Sequence, residues 1–391
     1  MGLLSNTVSI CQFRVVGDLP AGDLSAWAGE KLAAKGFRSI EQTAEELSVG
    51  WVQLDDTRDS SFASPGAFCR DHWLTFTLRR DQRKVPPALL KAWMQQAERQ
   101  FLSQHPGLQR VPKAKREELK DAVFGALLAK TLPAPAVWDA VWDTRSGILT
   151  LASLSAKVVD QFETLFKQTF EGLRLVAYHP YDRAGEVVAP ALKPALEKAN
   201  QAAGDGVLEL IRDNRWLGRD LLLWLMFRTM NADSVYQVCR PGQSLAGEGF
   251  VATLNDRLVL VGGGEAGVQK IAVTGPQDSF GEVVTALRGG KEILEAVLYL
   301  EKGEHLWRLN LKGEVFAFAS FKSPAVKPEK DAITDETSEQ MAVFYERMAV
   351  LEEGLQLFDS LFATFLAERL GGNWGETEAA IKGWLEGTVE G

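Results

Sequence analysis

Cysteine and histidine are scarce in this 391-residue chain, which holds three of the first and four of the second. Cys11, Cys69 and Cys239 are odd in number and far apart, so they form neither a disulfide framework nor a zinc knuckle. His72, His105, His179 and His305 stand alone, without a His or Cys partner at metal-ligand spacing, and no metal site is expected. Long apolar runs are missing too. The most apolar stretch, Leu221–Phe227, is closed by Arg219-Asp220 and Arg228. It falls far short of the roughly 18–20 residues that span a bilayer and reads as a buried helix. Met1–Thr7 lacks the basic and apolar regions of a signal peptide, so a cytoplasmic location and no membrane partner are expected.

Catalytic motifs are equally absent. The chain has no Gly-x-Ser-x-Gly elbow and no His-Glu-x-x-His. Val261–Gly267 is glycine-rich but lacks the Gly-Lys-Ser/Thr ending of a phosphate-binding loop, and a β-rich stretch follows it. It reads as a hairpin turn. Asp55-Asp56, Glu117-Glu118 and Glu352-Glu353 are paired acids in polar surroundings, where solvated charge is the ordinary explanation. Neither a catalytic residue nor a cofactor is expected.

What the chain does have is polarised charge. Its net charge of −9 would argue against a polyanion partner if it were spread evenly. Between Arg79 and Lys130, however, twelve cations face five acids, a balance of +7. From Asp331 onward thirteen acids face three cations, a balance of −10. Lys113, Arg116 and Lys120 fall at i, i+3 and i+7 and share one helix face, while Arg79, Arg80, Arg83 and Lys84 sit where a strand gives way to a helix. Such faces match evenly spaced phosphates and carry no base information, although most charge runs are simply solvated surface.

The periodicities predict an α+β protein. Strands are expected at Val8–Val16, Gly50–Leu54 and His72–Arg79, with a helix from Asp23 to Leu32. Helices follow over Leu89–Leu102 and Lys113–Leu128, punctuated by Pro86-Pro87, Pro106-Gly107 and Pro112. A hairpin over Val137–Leu151 and a helix over Ala156–Phe170 close the region, and Tyr178–Gln201, with its prolines, reads as a linker. Beyond a helix at Trp216–Met230 come short strands near 250–254, 257–261, 268–273, 291–301, 306–311 and 315–321, with one helix near Ser279–Leu287. Ser323–Ser338 is a charged, proline-bearing connection. The expected domains are 1–180, 181–325 and 326–391.

The tail is the most periodic part. Phe344, Met348, Leu351, Leu355, Phe358, Phe362 and Phe365 step by three and four after Met341, and Leu357, Leu361 and Leu366 widen the stripe. Such a helix either packs on its own domain or forms a subunit contact.

Four stretches carry a family resemblance: Gly50-Trp51-Val52, Arg79–Pro86, Leu119–Leu128 and Trp142–Leu149. In order and spacing they resemble the RdgC family over roughly residues 1–180, and Leu217–Leu225 with the tail is similar to a longer branch of it. The resemblance implies an α+β fold of antiparallel sheets with helical segments, in a homodimer that closes a ring with a basic lumen. It implies duplex DNA binding with little sequence preference and restraint of RecA-promoted strand exchange, hence a nucleoid-associated protein that is not an enzyme. Arg79, Arg80, Arg83, Lys84, Lys113, Lys115, Arg116, Lys120 and Lys130 become candidates for DNA contact. The tail stripe and Leu132 become candidates for the dimer contact. Leu132 stands in Lys130-Thr131-Leu132, where the family shows Arg-Ala-Phe, so an aromatic plug is replaced. The family's DNA-contacting Lys-Gln pair has no counterpart. The competing readings are a metal-dependent exonuclease, and an interaction protein that engages a recombination partner through its acidic tail.

Overall fold

The computed structural model describes residues 2–43, 45–231, 233–264, 267–276, 280–326 and 336–387. The chain begins with β1 (Thr7–Val16), α1 (Leu24–Ala34), β2 (Leu47–Val52), β3 (Cys69–Arg70) and β4 (Trp73–Gln82). Next come α2 (Pro87–Gln104), α3 (Lys113–Lys130), β5 (Ala134–Asp143), β6 (Ile148–Leu151), α4 (Ala156–Thr169) and β7 (Arg174–Ala177). A helical run follows: α5 (Pro180–Val187), α6 (Lys193–Ala199), α7 (Val207–Asp213) and α8 (Trp216–Met230). The remainder is β8 (Val235–Gln237), β9 (Gly249–Gly264), β10 (Gly267–Val273), α9 (Gly281–Arg288), β11 (Glu292–Lys302), β12 (His305–Lys312), β13 (Ala317–Lys322), α10 (Glu336–Arg369) and α11 (Trp374–Glu386). The fold is α+β with antiparallel strand pairing, as expected.

Two compact units are interleaved along the chain: one holds residues 17–145 and 162–173, the other 1–16, 146–161 and 174–391. The sequence reading cut the chain linearly at 180 and 325.

In the smaller unit β4 pairs with β5 on one side and with β2 and β3 on the other. Both faces of β4 are buried, since Trp73 through Leu78 are all covered. Trp51 is fully buried, edge-on to Phe76 and Phe162, and its indole Nε1–H donates to Thr169 Oγ1 at 2.7 Å. Trp142 meets Phe166 and Phe170 in the same edge-on manner, the geometry that aromatic quadrupoles favour. Gly50 has a steric reason. The chain at Phe37 lies alongside it, bonded to Trp51, and a Cβ on Gly50 would sit 2.4 Å from Phe37 Cα.

In the larger unit the strand order is β10-β9-β11-β12-β13-β1-β6, with β7 also on β1 and β8 on β9. The expected strands near 250–254 and 257–261 are one strand, β9, kept continuous through a bulge at Asp256, whose φ is 63°. Gly262–Gly264 pair with Gly267–Gln269 as the two sides of a hairpin, while Glu265 and Ala266 of the expected turn lie outside the described residues. So do Ser279 and residues 327–335 of the expected connection. The expected linker at Tyr178–Gln201 instead contains α5 and α6. Proline sits in the first turn of each, where the missing N–H costs no hydrogen bond.

The tail helix α10 is consumed by its own unit. Phe358 and Phe362 stand edge-on to Phe316, Phe358 does so to Phe318, and Trp307 Nε1–H donates to the Val350 carbonyl at 2.9 Å. Phe344, Met348, Leu351, Phe358, Phe362 and Phe365 are buried and Leu355 half-buried. Of the two readings of this stripe, the structure shows the packing on its own unit, where the sheet covers its apolar face. Gly354 marks the closest approach, since a Cβ there would lie 2.6 Å from Trp307 Cδ1.

Candidate nucleic-acid interface

The basic segment folds as the helical hairpin α2–α3. Over Pro87–Lys130 it holds eight cations and four acids. The helices pack mainly on one another: no residue of α2 is fully buried, and Leu127 alone is buried in α3. Both ends are set by proline, Pro86-Pro87 opening α2 and Pro112 capping α3 without a side-chain bond.

The first turn of α3 carries Lys113, Lys115 and Arg116 and no acid. Cations at the positive end of a helix dipole typically cost a few tenths of a kcal/mol to about 1 kcal/mol each. Lys113 and Lys120 are exposed. Arg116 is 68% exposed at its side chain yet donates from Nε to Glu98 at 2.7 Å. Lys115 is half-buried in an ion pair with Glu118. Lys130 is exposed with its ammonium 4.9 Å from the centre of the Trp93 ring, and Lys84 is exposed as well.

The strand-end arginines behave otherwise. Arg79 donates from Nε and Nη2 to Asp81, each at 2.8 Å, and from Nη1 to the Thr57 carbonyl, and it stacks over Phe37. The hydrogen bond to Asp81 holds its guanidinium above the ordinary arginine range. Arg83 is 3% exposed and donates to the carbonyls of Leu128, Ile40, Glu41 and Thr43. In both, the guanidinium is engaged by the fold itself. Arg80 is half-buried with its guanidinium 4.9 Å from the Trp138 ring centre.

Two grooves run along the hairpin. One, of about 520 Å³, is lined by Pro87, Leu90, Lys91 and Met94 of α2 and by Lys113, Arg116, Glu117 and Lys120 of α3. It brings three of the expected cations together and adds Lys91, which the sequence reading counted as a charge but not as a site. The signal was there: Pro87, Leu90, Lys91 and Met94 repeat the i, i+3, i+4, i+7 spacing of the α3 set. The second groove, of about 390 Å³, is mostly apolar and includes Trp93, Ala97, Leu119, Val123 and Ala126. Leu132, just past α3, is 82% exposed.

Among the described residues no cluster of three or more His, Cys, Asp or Glu could hold a metal ion. No described helix is long and apolar enough to cross a membrane. Residues 13–193, just under half of the chain, match the RdgC family model, whose description reads "Putative exonuclease, RdgC". The resemblance read from the four stretches is thus shown across that segment. No curated protein matches the chain.

Proposed function

Starting from an RdgC family segment at residues 13–193, we propose that this protein binds duplex DNA without sequence preference through the basic side of the α2–α3 hairpin. The family match supports a recombination-associated role in general. The finer reading is a non-enzymatic homodimer that encircles DNA in the nucleoid and restrains RecA-promoted strand exchange. The observation that carries it is Lys113, Arg116 and Lys120 on one exposed face, the first two in a first helical turn where cations oppose the dipole. Backbone phosphates are matched by such a row whatever the bases are.

The dimer contact is best supported on the same hairpin. Its second groove leaves Trp93, Leu119 and Val123 incompletely covered, and Leu132, just past the end of α3, is exposed. Open apolar surface of this kind marks association sites. Among the described residues of the tail helix, the stripe's apolar side chains are buried or half-buried.

The test is fluorescence anisotropy on a short duplex of arbitrary sequence, across a salt series, with and without magnesium. Salt-sensitive binding that leaves the DNA intact is the expected result. Magnesium-dependent degradation would overturn the non-enzymatic reading. Unchanged binding in a Lys113→Glu, Arg116→Glu, Lys120→Glu variant would overturn the site. Sedimentation of Leu132→Asp should show loss of the dimer; a dimer that persists would move the contact elsewhere.

A further inference from the structure

We propose that the groove lined by Pro87, Leu90, Met94, Lys113, Arg116 and Lys120 is a docking site for an acidic amphipathic peptide segment of a partner protein. Its two walls differ in chemistry. The α2 wall presents Pro87, Leu90 and Met94 at i, i+3 and i+7, with Lys91 beside them; the α3 wall presents Lys113, Arg116 and Lys120 at the same spacing. A DNA backbone uses only the cations, Lys91 together with those of α3, because phosphates gain nothing from Leu90 and Met94, which stay half-buried beside solvent. A ligand with an apolar side and an anionic side uses both walls. At about 520 Å³ the groove lies within the range of sites that hold a few side chains.

The spacing specifies the ligand further. Seven residues of helix rise roughly 10 Å, about two turns. A helix with carboxylates on one side and Leu or Phe on the other, over two turns, mirrors the groove and follows the helix-in-groove mode. Glu117 sits among the α3 cations, so the segment should be uncharged opposite it. This inference goes beyond the DNA reading, with which it shares cations but not a ligand. Peptide and duplex should exclude one another, which would couple DNA release to partner binding.

The experiment uses the full chain and a fluorescein-labelled synthetic helix with Glu along one side and Leu and Phe along the other. It should bind by anisotropy and be displaced by unlabelled duplex. Leu90→Ser with Met94→Ser should weaken the peptide about ten-fold while leaving duplex affinity within about two-fold. Retained duplex binding also reports that this variant is folded. Lys113→Glu with Lys120→Glu, at exposed positions, should reject the peptide and accept a version with Lys in place of Glu. Equal binding of a peptide whose Leu and Phe are replaced by Ser would overturn the proposal, leaving the groove a surface for anions of any kind. Failure of the peptide to bind a chain that still binds duplex would sink this inference alone. Peptide binding without any duplex binding would sink the DNA reading alone.

Discussion

The salt dependence of DNA binding can be worked from the groove. Suppose Lys91, Lys113, Arg116 and Lys120 each neutralise one phosphate. Counterion release then gives a log–log slope of about −3.6, at roughly 0.9 per contact. Between about 50 and about 200 mM salt the affinity should fall about 150-fold. Lys113→Ala with Lys120→Ala leaves two contacts and a slope of about −1.8, so the same salt step should cost only about 12-fold. Both side chains are exposed and neither has an assigned role in the fold, so the variant should unfold like the parent. Anisotropy titrations of parent and variant at several salt concentrations give both slopes. A variant slope equal to the parent's would refute the reasoning, because the phosphate contacts would then lie outside this groove. A parent slope near zero would refute it more thoroughly.

Other substitutions separate holding the fold from holding DNA. Arg83→Ala strips one guanidinium from four backbone carbonyls and should cost about 3 kcal/mol in urea unfolding. Gly354→Ala adds a Cβ 2.6 Å from Trp307 Cδ1 and 2.8 Å from Phe321 Cζ. It should destabilise by about 1–3 kcal/mol, although alanine is intrinsically better in a helix by about 1 kcal/mol, and a neutral result would mean the sheet yields there. His179 is buried and its imidazole is held below the ordinary value of 6.5 by desolvation. A depressed histidine is neutral in the fold and protonates more readily when unfolded. Its contribution is present above about pH 6.5 and lost as the pH falls below it. His179→Gln should flatten that part of the stability–pH curve, and an unaltered curve would exclude the assignment.

Much of the fold was legible because its punctuation is local. Pro87, Pro106-Gly107 and Pro112 delimit the hairpin, and the alternation of β4 and the apolar steps of α10 fix their elements. What was missed depends on context. The prolines of 178–201 were read as breakers, but Pro180 and Pro194 occupy first helical turns, where proline is tolerated. One bulge at Asp256 made a single strand look like two. The arginines differ most between a count of charges and the folded chain. Arg79, Arg83 and Lys120 are alike in a count of charges, and they part only in the structure, where Asp81 on the same strand engages the first and distant carbonyls engage the second. Lys91 was passed over for the converse reason, since its value comes from the helix set beside it.

These corrections change what the family resemblance means for this chain. Gly50 admits Phe37 at close range, Trp51 and Trp142 fill the aromatic core, and Arg83 ties one of the family-like stretches to Leu128 of another. The stretches that carry the likeness are thus largely those that anchor the hairpin at its base. A guanidinium bonded at once to Leu128 and to the Ile40–Thr43 loop fixes where α3 ends, and the rigid helix then fixes where Lys113, Arg116 and Lys120 lie. The scaffold can be kept while the cations, the apolar wall or Leu132 vary. An Arg83 variant that remained folded but bound DNA with a weaker, shallower salt response would show the anchor acting through the placement of α3. Unaltered DNA binding would show instead that α2–α3 holds its own geometry.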